Sequence, residues 1–472
     1  MFSLLCQRII FKIRLELSKL LFLFGGFVWS GTRVSKIGSK SLTLIQDMFM
    51  NNSNSINLEV LHERYSEAVN LGRAGFMKES ISARIDILND IYSHCGISTS
   101  DMNYYPPFLH PNWIEWFGHQ SMIFALKFGQ DFDIIPKGQR YATSFEFESD
   151  NSSGHKIGNL MDLVKSENSN WMKKISLKDF VGLSDVKPLN HIFENSEIVR
   201  TKGDFLDIHS FFNLICSRLR SSNRSLTFHS EYNFRSLEIL NSMFPNFSDF
   251  ESFAVVHLRE SKTLNDSKRV KFENYDLAIN EFIKNGISVV RLGTGSGEGK
   301  ITPLVPRYGL FDFALYDIKL HQSLHPFLLS RAKTVVTTHS GVHVLPSLAQ
   351  VPVIFTNCIA PGMSVLDRSP GSLSIPKKFM KRGKYLSLEQ IFNSNLSYAE
   401  LNLDEFRKID VELEENSALE ILSAVQQTLL ELDNQTFQPS PIGNLMFNYQ
   451  TLANGRIPNS YFEFNPWFYN EN

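Results

Sequence analysis

The chain has 472 residues, of which 43% are hydrophobic and 20% are charged. This composition is typical of a globular protein and excludes a wholly disordered chain, and the length suits two large domains and a smaller appendage. The net charge of −2 gives no overall attraction to nucleic acid, so no nucleic-acid partner is expected. Four widely separated cysteines without a Cys-x-x-Cys pair argue against a disulfide framework and favour a cytoplasmic location.

Residues 1–50 differ from this average. Seven basic side chains and one acidic side chain lie in the first forty residues. From Arg8 to Lys19 the charges recur at helical spacing among apolar residues, which predicts a basic amphipathic helix. Two interpretations remain open: residues 1–24 contact an anionic membrane surface at the cytoplasmic face, or they form an ordinary first helix packed on the core.

Residues 58–100 carry two helical patterns, Leu58–Leu71 and Lys78–Ile91, joined by a glycine-containing turn. The pair resembles one hairpin of a tetratricopeptide array. No second copy follows at a fixed period, so a repeat array is not predicted. We expect this hairpin to pack on the domain that follows.

Residues 101–245 predict a first α/β domain. Its expected elements are a strand at Trp113–Gly118, a helix at Gln120–Phe128, a strand at Phe132–Ile135, and helices at Ile208–Leu219 and Ser236–Met243. The run Asp131-Phe132-Asp133 has the spacing of metal-binding acids in the single-domain nucleotide-sugar transferases. In that class the acids follow a strand, whereas here they precede one, so a helix-to-strand loop is favoured.

Residues 246–385 show a clearer alternation of strands and helices. The predicted elements are a strand from Phe253, a helix at Glu273–Asn285, a strand at Ile287–Leu292, a helix at Pro326–Ala332, a strand at Val335–Thr337, a helix from Ser340-Gly341 to Ala349, and a strand at Val351–Phe355. This alternation predicts a parallel doubly wound sheet. Residues 386–472 predict helices at Leu388–Phe392, Leu403–Ile409 and Ala418–Leu432, and an aromatic-rich tail.

Arg259 follows the first strand of this second domain, where a guanidinium without a partner is costly. A diphosphate supplies that partner through bidentate hydrogen bonds. The alternative is a salt bridge to Glu260 or Asp312. His257, two positions earlier on the same side of the strand, is predicted to be a hydrogen-bonded core histidine.

Ser340-Gly341 follows a later strand and opens a helix. A helix N-terminus offers unpaired N–H groups to an anion, and glycine permits its close approach. The alternative is an N-cap serine without a ligand. His339 and His343 raise a further possibility, a metal-dependent hydrolase, but no acidic third ligand follows at a matching interval.

Residues 253–361 resemble the C-terminal half of a bacterial family of uncharacterised GT-B glycosyltransferases related to the O-fucosyltransferase and α-1,6-fucosyltransferase clan. The motifs that carry the resemblance are His257-Leu258-Arg259, Arg269, Asn274-Tyr275, Val290-Arg291-Leu292-Gly293, Asp312-Phe313-Ala314, Thr338-His339-Ser340-Gly341 and Val351-Pro352-Val353. The clan's Gly-Asp after the first motif is absent, and Thr294 replaces an acid after Gly293. In the N-terminal half, Gly118-His119 matches the family's early Gly-His turn.

The resemblance implies an α/β protein with two Rossmann-like domains of the GT-B type, an N-terminal helical segment and C-terminal helices. It implies transfer of a sugar from a nucleotide-diphosphate donor to a saccharide or lipid-linked glycan, without an obligatory metal or other cofactor. The residues expected to bind the donor are His257, Arg259, Arg269, Arg291, Gly293, Asp312, Thr338, Ser340, Gly341 and His343, with Asp312 contacting the nucleoside or orienting Arg259. His119 or Glu260 is the expected general base. The alternative is a catalytically inactive nucleotide-sugar-binding or assembly module.

Overall fold

The computed structural model describes residues 58–94, 108–109, 117–135, 140–143, 173–176, 198–202, 205–259, 265–293, 306–316, 322–364 and 369–435. The predicted amphipathic segment, Glu260 and the aromatic tail lie outside these ranges. Among the helices of the described ranges, none is both long and apolar enough to cross a lipid bilayer.

The helices that the structure describes are α1 (Leu58–Arg73), α2 (Met77–His94), α3 (Phe117–Asp131), α4 (Ile208–Ser221), α5 (Ser230–Met243), α6 (Asp276–Lys284), α7 (His325–Arg331), α8 (Val344–Leu348), α9 (Pro361–Ser364), α10 (Leu388–Phe392), α11 (Leu403–Lys408) and α12 (Ala418–Asn434). Short 3-10 helices lie at Pro245–Asp249, Phe272–Tyr275, Phe313–Leu315, Gln322–Leu324, Gly341–His343 and Asn395–Tyr398.

The strands of the described ranges fall into four sheets. They are β1 (Phe108–Leu109), β2 (Arg140–Thr143), β3 (Lys173–Ser176), β4 (Ile198–Arg200), β5 (Phe205–Asp207), β6 (Ser252–His257), β7 (Ile287–Leu292), β8 (Leu310–Asp312), β9 (Thr334–Thr337), β10 (Val353–Cys358), β11 (Leu373–Pro376), β12 (Lys378–Lys381), β13 (Lys384–Tyr385) and β14 (Val411–Glu414). β1 to β3 form a small parallel sheet, and β4 pairs antiparallel with β5. β12, β13 and β14 form a small antiparallel sheet.

The main sheet has six parallel strands in the order β8-β7-β6-β9-β10-β11. The chain therefore starts in the middle, moves outwards through β7 and β8, and returns to continue through β9 on the other side of β6. This is the strand order of the doubly wound dinucleotide-binding fold. The prediction of a parallel doubly wound α/β sheet is confirmed, whereas a second Rossmann-like domain stays a prediction.

Apolar runs form these strands because both faces of the sheet are buried. On one face Val255, Val290 and Val335 pack in a single apolar cluster with α3, α4 and α8. On the other face Val256 and Val336 pack with α6, α10 and α12. Helices α3 and α4 thus pack on the opposite face of the sheet from α10 and α12, and the predicted domain boundaries stay predictions.

Most elements predicted for the second domain and the C-terminal helices are present at nearly the predicted positions, with β7 and α10 matching residue for residue. Two expectations for the first domain were wrong. Phe117 and Gly118 begin helix α3 instead of ending a strand. Phe132–Ile135 is a turn, because Asp133 adopts a φ of 59° and the amides of Ile134 and Ile135 both donate to the carbonyl of Gly129.

The helical hairpin docks on the C-terminal segment. Gly75, in the turn between α1 and α2, has a φ of 94°, and a Cβ at this position would lie 1.9 Å from the carbonyl oxygen of Asn395. Nearby, the amide of Glu400 donates to the carbonyl of Arg73 at 3.0 Å. A close backbone approach that only glycine permits therefore fixes this contact.

Candidate functional site

The candidate site lies where β6 and β9 run side by side. From β6 the sheet continues to β7 on one side, and from β9 it continues to β10 on the other side, so the strand order reverses between them. His257, the last residue of β6, pairs in register with Thr337, the last residue of β9. In doubly wound sheets, ligands bind in the crevice beyond the carboxyl ends of the strands at this reversal of strand order. Arg259 and Thr338 to Gly341, predicted from separate sequence motifs, follow these two strands.

Arg259 is held at this edge by its backbone and by its side chain. Its amide donates to Oγ1 of the buried Thr338 at 3.1 Å. Its Nε donates to Oδ2 of Asp266 at 2.9 Å. Among the described residues, none accepts a hydrogen bond from the terminal nitrogens of Arg259, and 47% of its side chain is exposed. The outward edge of the guanidinium is therefore available for bidentate binding of an oxyanion.

Asp266 was not among the predicted partners of Arg259, which were Glu260 and Asp312. Its Oδ1 accepts from the amide of Lys268 at 2.9 Å, and only 13% of its side chain is exposed. The flanking residues of this loop are tied to the C-terminal segment: Ser267 donates to the carbonyl of Leu401. No local sequence signal links Asp266 to Arg259, because the two residues lie seven positions apart and belong to no common periodic pattern.

The turn at Ser340 leads into the 3-10 helix Gly341–His343 and then α8. The side chain of Ser340 makes no cap hydrogen bond, and its Oγ lies 3.4 Å from Nδ1 of His257 and 3.5 Å from Oγ1 of Thr337. The first amides of a helix have no partner within it and point towards the space before the N-terminus. This turn and Arg259 thus follow neighbouring strands at the same edge of the sheet, where the Arg259 amide is bonded to Thr338.

His343, which was predicted to bind the donor, lies beneath the turn. Its Nδ1 donates to the carbonyl of Ser340 at 2.6 Å, and its ring packs edge-on against Phe212 and Phe355. In this position His343 supports the turn from the core side.

Arg291 and Asp312 form a buried ion pair across β7 and β8. The Nη1–Oδ2 distance is 3.0 Å, and the side chains are 1% and 9% exposed. The guanidinium carbon lies 4.0 Å from the ring centroid of Phe272, and Oδ1 of Asp312 accepts from the amide of Ala314 at 3.1 Å. Asp312 is thus bonded to Arg291, whereas the acid bonded to Arg259 is Asp266.

Two other predicted residues lie close to these clusters. Gly293 follows β7, and a Cβ there would lie 2.9 Å from Cβ of Ala314, which explains the need for a small residue. The side chain of Arg269 is exposed, while its carbonyl accepts from Nζ of Lys377 at 2.9 Å. His119 lies in the first turn of α3, and the structure describes only its backbone.

His339 forms a further cluster that sequence reasoning missed. Its Nε2 lies 2.5 Å from Oε1 of Glu400, and Nζ of Lys268 donates to the same oxygen at 3.2 Å. Burial would raise the pKa of Glu400, but Lys268 and His339 lower it well below its ordinary value. Glu400 lies far along the chain, in a loop between two short helices, where the sequence carries no recognisable motif.

Lys377 follows edge strand β11 and is 4% exposed. Burial lowers its pKa to about 8, and the nearby carboxylates of Glu415 and Asp266 partly oppose this shift. Like Asp266 and Glu400, Lys377 connects the crevice to the C-terminal part of the chain.

The alternative metal site finds no counterpart in the part of the chain that the structure describes. There, no group of three or more His, Cys, Asp or Glu side chains is arranged to hold a metal ion. Asp131 ends α3 and pairs with Lys127 and Arg224, and Asp133 pairs with Lys202. The Asp131-Phe132-Asp133 run is therefore a turn that follows a helix.

The fold and the crevice together define an α/β protein with a doubly wound parallel sheet. No protein-family model and no curated protein matches the sequence. Among solved structures, the bacterial iron-containing dodecameric glycosyltransferase TibC from enterotoxigenic E. coli H10407 is similar at 12% identity, over 70% of this chain and 75% of that chain, with a TM-score of 0.28. A similarity at this level carries no argument about fold or activity.

Proposed function

We propose that the protein is a glycosyltransferase of the GT-B type that transfers a sugar from a nucleotide-diphosphate donor to a saccharide or surface-glycan acceptor. The observation that carries the proposal is the position of Arg259 at the reversal of strand order. There its Nε is bonded to Asp266, its side chain is half exposed, and its amide is bonded to Thr338, two positions before Ser340. A diphosphate fits this combination of a planar cation and a helix N-terminus.

The chemistry of sugar transfer supports the same assignment. The reaction passes through an oxocarbenium-like transition state while negative charge develops on the leaving diphosphate. Fixed cations and oriented amides stabilise that charge most when they are positioned before the reaction begins. In the proposed site Arg259 and the amides of the Ser340 turn perform this role, and Thr338 holds Arg259 by its backbone.

The acceptor and the location of the protein belong to the same proposal. The basic segment 1–24 suits contact with the inner face of the cytoplasmic membrane, where lipid-linked saccharides are made. We therefore propose a glycan precursor at that surface as the acceptor.

Isothermal titration with GDP-sugars and UDP-sugars tests the donor site. We expect one nucleotide class to bind the wild-type protein, and Arg259→Ala to weaken binding at least tenfold. Arg235→Ala is the matched control, because Arg235 is also exposed and bonded to one carboxylate, that of Glu231 on α5. If neither class binds, or if Arg259→Ala binds as tightly as the wild type, the donor site is wrong.

A nucleotide-sugar-binding module without transferase activity is the second candidate. The burial of Arg291 in its ion pair with Asp312 favours it, because the resemblance implied that Arg291 binds the donor beside Arg259. Mass-spectrometric screening of nucleotide-sugar hydrolysis and transfer separates the two candidates. Tight binding without either reaction would select the binding module.

A further inference from the structure

His339 lies inside the turn that joins β9 to the proposed phosphate site, between Thr338 and Ser340. Its Nε2 is 2.5 Å from Oε1 of Glu400, which also accepts from Lys268 at 3.2 Å. The side chains of His339, Glu400 and Lys268 are 14%, 28% and 22% exposed. Three distant parts of the chain thus meet around one imidazole at the edge of the crevice.

The charges around this imidazole determine which of its nitrogens carries a proton. Lys268 and His339 keep Glu400 ionised, so its oxygen accepts the hydrogen bond and Nε2 donates it. Burial and Lys268 lower the pKa of His339, Glu400 opposes them, and His209 at the start of α4 lowers it further. A neutral imidazole with its proton on Nε2 has a lone pair on Nδ1.

Nδ1 of His339 is buried and receives no hydrogen bond from any residue that the structure describes. A buried acceptor without a donor costs free energy, which a ligand hydroxyl at this position would recover. A carboxylate that holds one imidazole nitrogen while the other accepts a proton is the arrangement used to activate hydroxyl nucleophiles.

We propose that His339 is the general base of the reaction and that Glu400 and Lys268 are its positioning residues. The inference rests on the proposed glycosyltransferase function. The acceptor hydroxyl gives its proton to Nδ1 as its oxygen bonds to the anomeric carbon. The bond from that carbon to the diphosphate breaks, and its electron pair leaves with the diphosphate. His339 thereby takes the role that the sequence assigned to His119 or Glu260.

The test compares wild type, His339→Gln and Glu400→Gln for nucleotide binding by calorimetry and for sugar transfer or donor hydrolysis by mass spectrometry. We expect His339→Gln to lower turnover at least 100-fold while nucleotide affinity changes less than threefold. His229→Gln, a substitution of an exposed histidine before α5, is the matched control and should leave both quantities unchanged.

The pH dependence of turnover separates a catalytic role from a purely structural one. In the wild type, turnover should fall as the pH drops through a value below the ordinary pKa of histidine. Because the Glu400 carboxylate raises the pKa of His339, Glu400→Gln should move this fall to still lower pH and reduce the maximal rate. NMR titration of the His339 ring in the wild type gives the same pKa and the tautomer without any variant.

The outcomes distinguish this inference from the proposed function. If the wild type binds nucleotide and His339→Gln turns over within threefold of it, His339 is not the base. Nucleotide binding with no turnover in the wild type also overturns the role of His339. Absence of nucleotide binding in the wild type overturns the proposed function itself, and an Nδ1-protonated imidazole by NMR overturns the inference alone.

Discussion

Asp266 accepts a hydrogen bond from the Nε of Arg259 at 2.9 Å, and no other described residue accepts one from the guanidinium. Asp266 is itself fixed by the amide of Lys268. The loop that carries both residues is bonded to the C-terminal segment through Ser267 and Asn265. The proposed diphosphate site therefore depends on residues that follow the sheet in the chain.

Asp266→Asn should weaken nucleotide-diphosphate binding about tenfold. The variant keeps an oxygen acceptor for Arg259 but loses the charge. A charge-assisted hydrogen bond contributes about 1.5–3 kcal/mol, of which solvent screening removes part at the half-exposed Arg259. Calorimetry with nucleoside diphosphate and nucleoside measures the effect.

Nucleoside binding provides the control for Asp266→Asn, since the substitution should change it little. If the binding of both ligands weakens equally, or if the melting temperature of the variant falls markedly, Asp266 supports the fold and does not orient Arg259.

Arg291→Met should destabilise the protein by about 3–5 kcal/mol, because it leaves the buried carboxylate of Asp312 without its cation. Urea denaturation gives the free energy of unfolding. The double variant Arg291→Met/Asp312→Leu removes both charges and should recover much of this loss. If the single variant retains full stability but loses nucleotide binding, Arg291 contacts the ligand directly.

Gly75→Ala should destabilise the docking of the helical hairpin by about 3 kcal/mol or more, from positive φ and from the clash with the Asn395 carbonyl together. Gly286→Ala is a matched control: its φ is 71°, but no atom lies within 4 Å of the added Cβ. That variant should lose only about 1 kcal/mol. Hydrogen exchange across α1 and α2 reports the difference, and similar exchange in both variants would contradict the close-contact argument.

Because of Lys377, we expect the free energy of unfolding to increase at alkaline pH. Burial lowers its pKa to about 8 from its ordinary value of 10.5. Between these values the unfolded chain binds a proton that the folded protein has released, so the free energy of unfolding increases with pH. The increase in the free energy of unfolding begins near pH 8, is complete above pH 10.5, and amounts to about 3 kcal/mol in total.

Lys377→Met should remove this increase, so the stability difference between variant and wild type should change between pH 7 and pH 10. Urea denaturation at several pH values measures it, and the exposed lysine variant Lys284→Met is the control. A stability difference that is the same at every pH would show that Lys377 does not titrate in this range.

The sequence alone predicted the parallel sheet and most of its helices. Strands buried on both faces have continuous apolar runs, as in Val289 and Val290 of β7, and helices such as α12 carry their own capping residues. Strand ends are also local features, so the sequence is enough to assign Arg259 and Ser340 to one edge of the sheet.

Residues 117–135 were harder to predict from the sequence. A short apolar run such as Phe132–Ile135 fits a strand or a buried turn equally well. Here the left-handed conformation of Asp133 makes the segment a turn.

Only the tertiary structure decided which charges meet. Asp266 and Glu400 come to the crevice because the packing of α10 to α12 on the sheet brings distant loops to its edge. Asp312 pairs with Arg291 because β7 and β8 are neighbours in the sheet and place these two residues in register. Contacts between residues far apart in the chain leave no periodic trace in a single sequence. The sequence therefore determined the scaffold and the edge of the sheet where the candidate site lies, and the tertiary structure determined the partners of Arg259 and His339.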